Sequence, residues 1–449
     1  MWQARCRART RDQGGRIGAG TSGRGIDFEA ASCGLANVSR PTFAYLDAPD
    51  ATAHFLAGLT TGPVTSGRQP TRDLAIDTEA ASFHRFTDRV YLLQLTARLA
   101  DASTGGEREV SAVIDPLGAG PLPMLGALVE DRGVQKVFHD ADYDLRLLRQ
   151  DYGWQVANVF DTRIAAQLLG ERAFGLAALL EQEFGVKLDK KHQRADWSMR
   201  PLTPDMLDYA AQDTHWLLGL RDRLRDRLVR FGRMGWAEEE FARLEQVRWS
   251  PEDAAEAFLR VKGARDVSRR ELALLRELVQ WRDGVARELD RATFRVAAND
   301  VLLEVARQAP RTREALNTIK GVPRGSPDGR AGDMLDAVRR GLEVPEADLP
   351  RFPRAPRWDR DPDFDARVGR LRQVRDAAAA RLSLDPGVLC SRERLELIAR
   401  RRPTTVEALG EVPDLRQWQI GELGEALLAA LGTMDRGEVD RDRSPYRDR

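Results

Sequence analysis

From Arg282 onward the chain repeats itself at a fixed interval, and this limits what it can fold into more than any other feature. Arg282-Asp283 recurs as Arg375-Asp376, Ala306-Arg307 as Ala399-Arg400, Pro310 as Pro403, and Glu314-Ala315-Leu316 as Glu407-Ala408-Leu409, each pair 93 positions apart. One offset held across this span means two tandem copies of one small domain. Strand signals nearly vanish after Trp249 and apolar residues recur at helical spacing, so both copies are expected to be all-α, over residues 265–344 and 363–432. Between them, 345–362 carries five prolines and many charges and reads as a semi-extended linker.

The remainder needs a core of its own, because 449 residues exceed one ordinary domain. Residues 41–235 read as mixed α/β, with 236–264 as a connector. Buried-strand signals lie at Leu74-Ala75-Ile76, Val90–Leu95, Val110–Ile114 and Val134–Phe138. Helical periodicity follows at Asp144–Gln150, Ile164–Leu169, Leu176–Phe184 and Met206–Val229. Strands first, then helices interleaved with strands, predict a mixed sheet flanked by helices. Residues 1–40, rich in Gly, Arg and Ser, read as a disordered tail, and 433–449 as a charged one. No apolar run approaches the roughly 18 residues of a membrane span, and the start lacks the apolar stretch of a secretory signal. Cys6, Cys33 and Cys390 lack metal-type spacing. They argue against a zinc site or disulfide scaffold and fit a reducing cytoplasm. With 70 basic and 70 acidic residues, global charge gives no support for nucleic-acid binding, which must come from local patches.

Several segments carry possible chemistry. Asp77 and Glu79 are two apart at a strand end, so both carboxylates aim to one side. Like charges that close repel unless something offsets them, and a divalent cation with a preference for oxygen ligands does so. Tyr209 and Asp213 are four apart in a helical run and share a face. In His139-Asp140-Ala141-Asp142-Tyr143-Asp144, a helix N-terminus favours acids for structural reasons, and spacing alone leaves the ligand open among the three aspartates. Asp161 precedes a helix and reads first as its N-cap, with a role near substrate as the other reading. Each of these patterns alone is common.

Their order and spacing resemble the exonucleases that use four acidic residues and a tyrosine, specifically the ribonuclease D family. The segments are Ala75-Ile76-Asp77-Thr78-Glu79, then Val137-Phe138-His139 with Asp144-Leu145, then Asp161-Thr162. Last comes Asp196-Trp197-Ser198-Met199-Arg200-Pro201-Leu202, running into Tyr209-Ala210 and Asp213. The resemblance spans about Leu74 to Leu220 and resumes in both repeats, which look like the helicase-and-RNase-D C-terminal (HRDC) domain. It implies a ribonuclease H-like mixed sheet followed by two all-α HRDC-like domains. It also implies that Asp77, Glu79, Asp144 and Asp213 carry two divalent ions, Mg²⁺ or Mn²⁺, and that Tyr209 holds and helps deprotonate the attacking water. The family's acid lies five residues after the histidine position, which selects Asp144. Ala80 follows Glu79 where the resemblance leads one to expect a bulky residue, which bears on nearby contacts to the terminal nucleotide.

The activity implied is 3′→5′ hydrolysis of RNA to 5′-mononucleotides in the cytoplasm, by a monomer that makes no membrane contact and acts on precursor tRNA 3′ ends. Two metals roughly 3.5–4 Å apart can activate the water and steady the leaving oxygen. A phenol with a reference pKa of about 10 keeps its proton at neutral pH, so orienting that water is the favoured role for Tyr209. Candidate substrate contacts are His139, Asp161 and the cluster Lys187, Lys190, Lys191, His192 and Arg194, which could hold phosphates or be a solvated loop. Arg221, Arg223, Arg225, Arg227 and Arg230 have acids interleaved and read as a solvated helix face. Two alternatives stand: a DNA exonuclease with the same acids, and a binding scaffold with a dead nuclease core. The presence of all five catalytic-type residues counts against the second.

Overall fold

The computed structural model describes residues 42–60, 71–101, 106–189, 191–248, 254–322, 330–353 and 361–432. Both expected tails, Lys190, part of the connector and 354–360 of the linker lie outside the described residues.

A six-stranded mixed sheet organises the first part, in the order β1-β4-β3-β2-β5-β6. The strands are β1 (Ala44–Leu46), β2 (Thr71–Glu79), β3 (Leu92–Ala100), β4 (Glu107–Ile114), β5 (Gln135–Phe138) and β6 (Val159–Asp161). β2, β3 and β4 form an antiparallel meander, while β1 joins β4, β5 joins β2 and β6 joins β5, all in parallel. All four sequence-predicted strands are present. β1 and β6 were not anticipated, because three-residue strands are too short to show periodicity.

Eight longer helices accompany the sheet: α1 (Pro49–Thr60), α2 (Pro123–Glu130), α3 (Asp142–Tyr152), α4 (Thr162–Leu168), α5 (Leu176–Phe184), α6 (Pro204–His215), α7 (Leu217–Arg230) and α8 (Met234–Leu244). The helix predicted over Met206–Val229 is two, because the Trp216 amide donates to Thr214 O instead of continuing the ladder. The buried stripe Ala210, Ala211, Thr214, Leu217, Leu218 runs across the break, so sequence period does not register it.

Three expectations are corrected by packing. The boundary at 235 cuts into α8, which belongs to the sheet's own core: Phe241 lies 4.7 Å from Phe160 of β6, ring centre to ring centre. The arginines of α7 are not a solvated face throughout. Arg221 is buried, donating to Asp73 Oδ1 at 3.0 Å and to Asp222 at 2.7 Å, and Arg227 reaches Glu171 and Glu183. Interleaved acids suggested solvation, yet the acids that pair with Arg221 and Arg227, Asp73 and Glu171, lie outside this helix, which periodicity along it cannot show. The first part of the linker is not free: Arg269 donates to the carbonyls of Glu346 and Leu349, and Leu349 is buried.

The duplication is explicit in the backbone. The first copy holds α9 (Arg269–Glu288), α10 (Asn299–Gln308), α11 (Arg313–Thr318) and α12 (Arg330–Glu343). The second holds α13 (Phe364–Leu382), α14 (Arg392–Arg401), α15 (Val406–Gly410) and α16 (Gln417–Gly432). Positive φ recurs at the same offset as the sequence identities: Asp290 with Ser383, Ala309 with Arg402, Gly321 with Asp414. Thr312 and Thr405 cap equivalent helices.

Candidate active site

The meander ends β2 beside β5, and the chain places four carboxylates there from three elements. Asp77 and Glu79 alternate to one face of β2 with Thr78 between them on the other. Asp144 lies in the first turn of α3, buried, and accepts from Thr78 Oγ1 at 2.5 Å. Asp213 comes from α6, one turn after Tyr209. All four have proton affinities raised in the folded state. Burial is the first cause for each. For Asp77 the charge of Asp213 adds to it, for Glu79 the charges of Asp77, Asp213 and Asp144, and for Asp144 that of Asp77. Asp213 rises to about 7. Tyr209 is also pushed up, by burial and then by Asp213, Glu79 and Asp77, so it keeps its phenolic proton.

Burial separates the three aspartates that spacing left open. Asp142 is half-exposed and pairs with Arg146 one turn on, Asp140 is exposed and pairs with Arg163, and Asp144 alone of the three is buried, within reach of the charge of Asp77. Among the described residues no three His, Cys, Asp or Glu side chains have ligating geometry as they stand. Asp144 is turned to Thr78 instead. The donor set still fits hard divalent cations: four desolvated carboxylates, all oxygen, with raised proton affinities.

A cleft of about 380 Å³ opens over these acids, lined by Asp77, His139, Asp189, Gln193, Tyr209 and Asp213 among others. His139 is held near pKa 4, chiefly by burial, and is neutral. Thr162 Oγ1 donates to Phe138 O, so at 2.9 Å it accepts from His139 Nδ1, which leaves His139 Nε2 as an acceptor. The other sequence candidates part company. Asp161 is fully buried and spends its oxygens on the amides of Ala141, Arg163 and Ile164, so it is the N-cap of α4 and has no face toward substrate. Lys187 and Lys191 are exposed and pair with Glu181 and Asp205, which reduces the free charge of that patch. His192 packs edge-on against Tyr209, ring centres 5.8 Å apart, with Nε2 buried and without a partner. Arg194 lies over the Phe83 ring, 5.3 Å from its centre.

The Asp196-to-Pro201 segment proves to be a brace. Arg200 binds Asp115 through two nitrogens at 2.5 and 2.7 Å, and donates to the carbonyls of Trp197 and Tyr91. Burial alone would raise Asp115, but the bond and charge of Arg200 outweigh it and hold it low. Trp197 is fully buried in the cluster that holds Ala210 and Ala211 of α6, so this segment sets the seat of the helix that carries Tyr209 and Asp213. Thr203 then caps α6 by accepting from Met206 N, with Pro204 at its first position. Sequence reasoning missed Thr78 and the Arg200–Asp115 pair, whose partners lie 66 and 85 residues away. It also missed Gln94, the register partner of Asp77, which is fully buried with neither amide atom partnered.

Comparison with known proteins agrees with this geometry. Residues 63–229 match the family described as 3′-5′ exonuclease, and residues 271–338 and 364–431 each match the HRDC domain. The chain is 33% identical over 359 residues to ribonuclease D of Granulibacter bethesdensis, covering 79% of this chain and 86% of that one. A crystal structure of a protein from Bifidobacterium adolescentis superposes with a TM-score of 0.72 at 25% identity, over 88% of this chain and 97% of that one. Escherichia coli RNase D, described as an exoribonuclease involved in structured RNA processing, shares the fold with a TM-score of 0.64 at 24% identity, over 88% and 99%. No helix among the described residues is long and apolar enough to cross a membrane. This chain belongs to the ribonuclease D family of 3′→5′ exoribonucleases.

Proposed function

We propose that Asp77, Glu79, Asp144 and Asp213 hold two divalent ions, Mg²⁺ or Mn²⁺, and that Tyr209 orients the water that attacks the last phosphodiester of an RNA. The observation that carries this reading is four carboxyls with raised proton affinities in one desolvated place, three of them raised further by neighbouring acids. Bound there, the two ions would supply water activation and stabilisation of the leaving oxygen. The chain's own groups do the rest. Asp144 leaves Thr78 to join the other three acids, and the Thr78 hydroxyl sets the angle from which it does so. Tyr209, still protonated, donates to the water or to a non-bridging phosphate oxygen and fixes its approach. Neutral His139 offers Nε2 as an acceptor to a ribose hydroxyl in the cleft. His192, Lys187, Lys191 and Arg194 flank the approach of the 3′ end, with His192 and Arg194 the better placed, and Lys190, which completes that cluster in sequence, lies outside the described residues.

The natural substrate we favour is a precursor tRNA with extra 3′ nucleotides, acted on in the cytoplasm by a monomer. The domains we assign are 41–244 for the exonuclease, 265–353 for the first helical copy and 361–432 for the second. The DNA alternative gives way to the family's RNA substrate, and the scaffold alternative is answered by the intact acid cluster.

The test is digestion of a 5′-labelled tRNA carrying 3′ extensions, with Mg²⁺, Mn²⁺ or chelator, by the wild type, Asp144→Ala and Asp142→Ala. A metal-dependent ladder shortening from the 3′ end is expected for the wild type and Asp142→Ala, with a loss of at least about a thousandfold for Asp144→Ala. Equal trimming by Asp144→Ala would remove this residue from the site.

A further inference from the structure

The first helical copy contains a cavity that the exonuclease chemistry does not use. It measures about 180 Å³ and lies between Trp281, Leu289 and Met334, with Arg291, Arg295 and Arg330 also lining it. A water takes roughly 30 Å³ and a drug-sized pocket at least about 300 Å³, so the space suits one planar ring. Among the described residues the lining holds three cationic side chains and no acid. Trp281 Nε1 is buried and has no hydrogen-bond partner. A buried indole N–H left unpaired costs stability, and its position at a cavity marks where an acceptor would sit.

The second copy shows that this cavity is not a by-product of the fold. At the positions equivalent to Trp281, Arg291, Arg295, Arg330 and Met334 it has Val374, Leu384, Val388, Leu423 and Leu427. All five belong to the apolar cluster shared with the exonuclease domain. The same backbone thus carries an apolar, covered surface in one copy and an arginine-lined, open one in the other.

The cavity is also tied to the catalytic domain. Arg295 donates to Phe83 O at 2.5 Å and meets His84 Nδ1 at 3.1 Å. His84 is five positions after Glu79, which bounds the distance at about 18 Å even for an extended chain. A strand of a few nucleotides with its 3′ end in the cleft is long enough to span it.

We propose that this cavity is a nucleotide site: a base enters against Trp281, its acceptor edge takes the Nε1 proton, and its phosphate lies on Arg291. The inference rests on RNA as substrate. The ligand chemistry could belong to a nucleotide within the RNA chain or to a free mononucleotide such as the reaction product.

The test uses the full chain in chelator, with a short single-stranded RNA in one arm and 5′-AMP in the other. Variants are Arg291→Ala, whose exposed side chain supports no other residue, and Trp281→Phe, which keeps a ring and removes the donor. For RNA as the source, Arg291→Ala weakens RNA binding about threefold to tenfold and lowers the log–log salt slope by about one. Trp281→Phe then weakens it about twofold to tenfold. A loss confined to 5′-AMP supports the site with the free nucleotide as its ligand. Affinities for both ligands within about twofold of wild type, with an unchanged salt slope, overturn the site. Hydrolysis of a dinucleotide with metal restored is the control: it stays at wild-type rate in Arg291→Ala, and its absence from the wild type would count against the nuclease reading instead.

Discussion

The two helical copies meet the exonuclease domain with the same loop and opposite chemistry. In the second copy the turn after its long helix presents Leu382, Ser383, Leu384 and Val388. Arg233 donates to Leu382 O at 2.6 Å, and a Cβ on Gly170, whose φ is +82°, would collide with Ser383 O. Trp418 stacks on Trp236 with ring centres 4.8 Å apart and donates to Glu240, while Glu239 accepts the first amides of α16 and so caps it from another helix. In the first copy the equivalent turn presents Asp290, Ala292, Phe294 and Arg295 to the loop after Glu79. Asp290 accepts from Arg85 and from the Phe86 amide, and Ala292 N donates to His84 O. The first contact is largely polar and exposed, the second a continuous apolar core. Burial of apolar area holds the second copy in place, whereas the first is held by terms that salt screens. The duplicated domain thus docks once through an apolar core and once through a polar contact with the loop that follows Glu79.

The sharpest way to break this contrast is to exchange residues at equivalent positions. Leu384→Arg gives the second copy the residue that the first has at 291 and buries an unpaired charge in the shared core. We expect a loss of several kcal/mol, on the order of 3–5, read as a large drop in melting temperature or as insoluble protein. A melting temperature within two degrees of wild type would mean that the docking face is not a core.

The next effect falls on activity. Loop 82–86 is held from one side by Arg295 and Asp290 and from the other by the brace, where Arg85 Nε donates to Ser198 Oγ at 2.6 Å and His84 bonds Arg194 O. Arg295→Ala combined with Asp290→Asn frees one side. Dinucleotide hydrolysis should slow by about threefold to tenfold, since small misplacements near reacting groups cost rate, with stability changed by less than about 1 kcal/mol. Raising salt should slow the wild type toward the variant and leave the variant less affected. Equal salt dependence in both would deny the first copy its positioning role.

How much of this was legible in sequence follows the range of each interaction. The duplication, the meander strands and the strand–helix order came through, because repeats and periodicity are local or self-similar. The pattern of four acids and a tyrosine was readable as an order and spacing, and the structure brings these side chains near one another, while the choice of Asp144 required the resemblance. The structure then supplied the physical ground, which is burial beside Asp77 and Glu79. Arg221 was misread because Asp73, which answers it, lies 148 residues away, and Asp161 was left between two roles until its three amide partners were seen. The unlike roles of the two copies were written in the sequence at 291 and 384. They became readable only once the backbone equivalence showed that these residues occupy one place.

A smaller effect separates the acid cluster from the docking face through pH. The four carboxyls bind protons more tightly folded than unfolded, so in chelator their contribution favours the folded state at low pH and is lost as pH rises through the raised values, about 7 for Asp213. The melting temperature of the metal-free protein should therefore fall by a few degrees between pH 6 and 8. Asp213→Asn should flatten that slope and raise the melting temperature at pH 8, while Mg²⁺ or Mn²⁺ should restore the wild type there. The docking residues of the second copy named above include no histidine, so Trp418→Ala should lower the curve without changing its slope. A slope that survives in Asp213→Asn would place the titration elsewhere.

The smallest expected effect is the reciprocal of the largest. Arg291→Leu gives the first copy the residue that the second has at 384, at a site where the side chain is exposed and the fold among the described residues makes no ion pair with it. Surface substitutions of this kind change stability by within about 0.5 kcal/mol, so its melting temperature should match wild type. Leucine at this turn is required only where a partner surface covers it, and the exonuclease domain covers this position in the second copy but leaves it exposed in the first. If Arg291→Leu were as damaging as Leu384→Arg, the turn would be part of each copy's own core, and its amino acids would say nothing about how either copy is used. A near-silent Arg291→Leu beside a damaging Leu384→Arg would show that the interface, rather than the helical fold, dictates the residue, and that the first copy's arginine is retained for what it can bind.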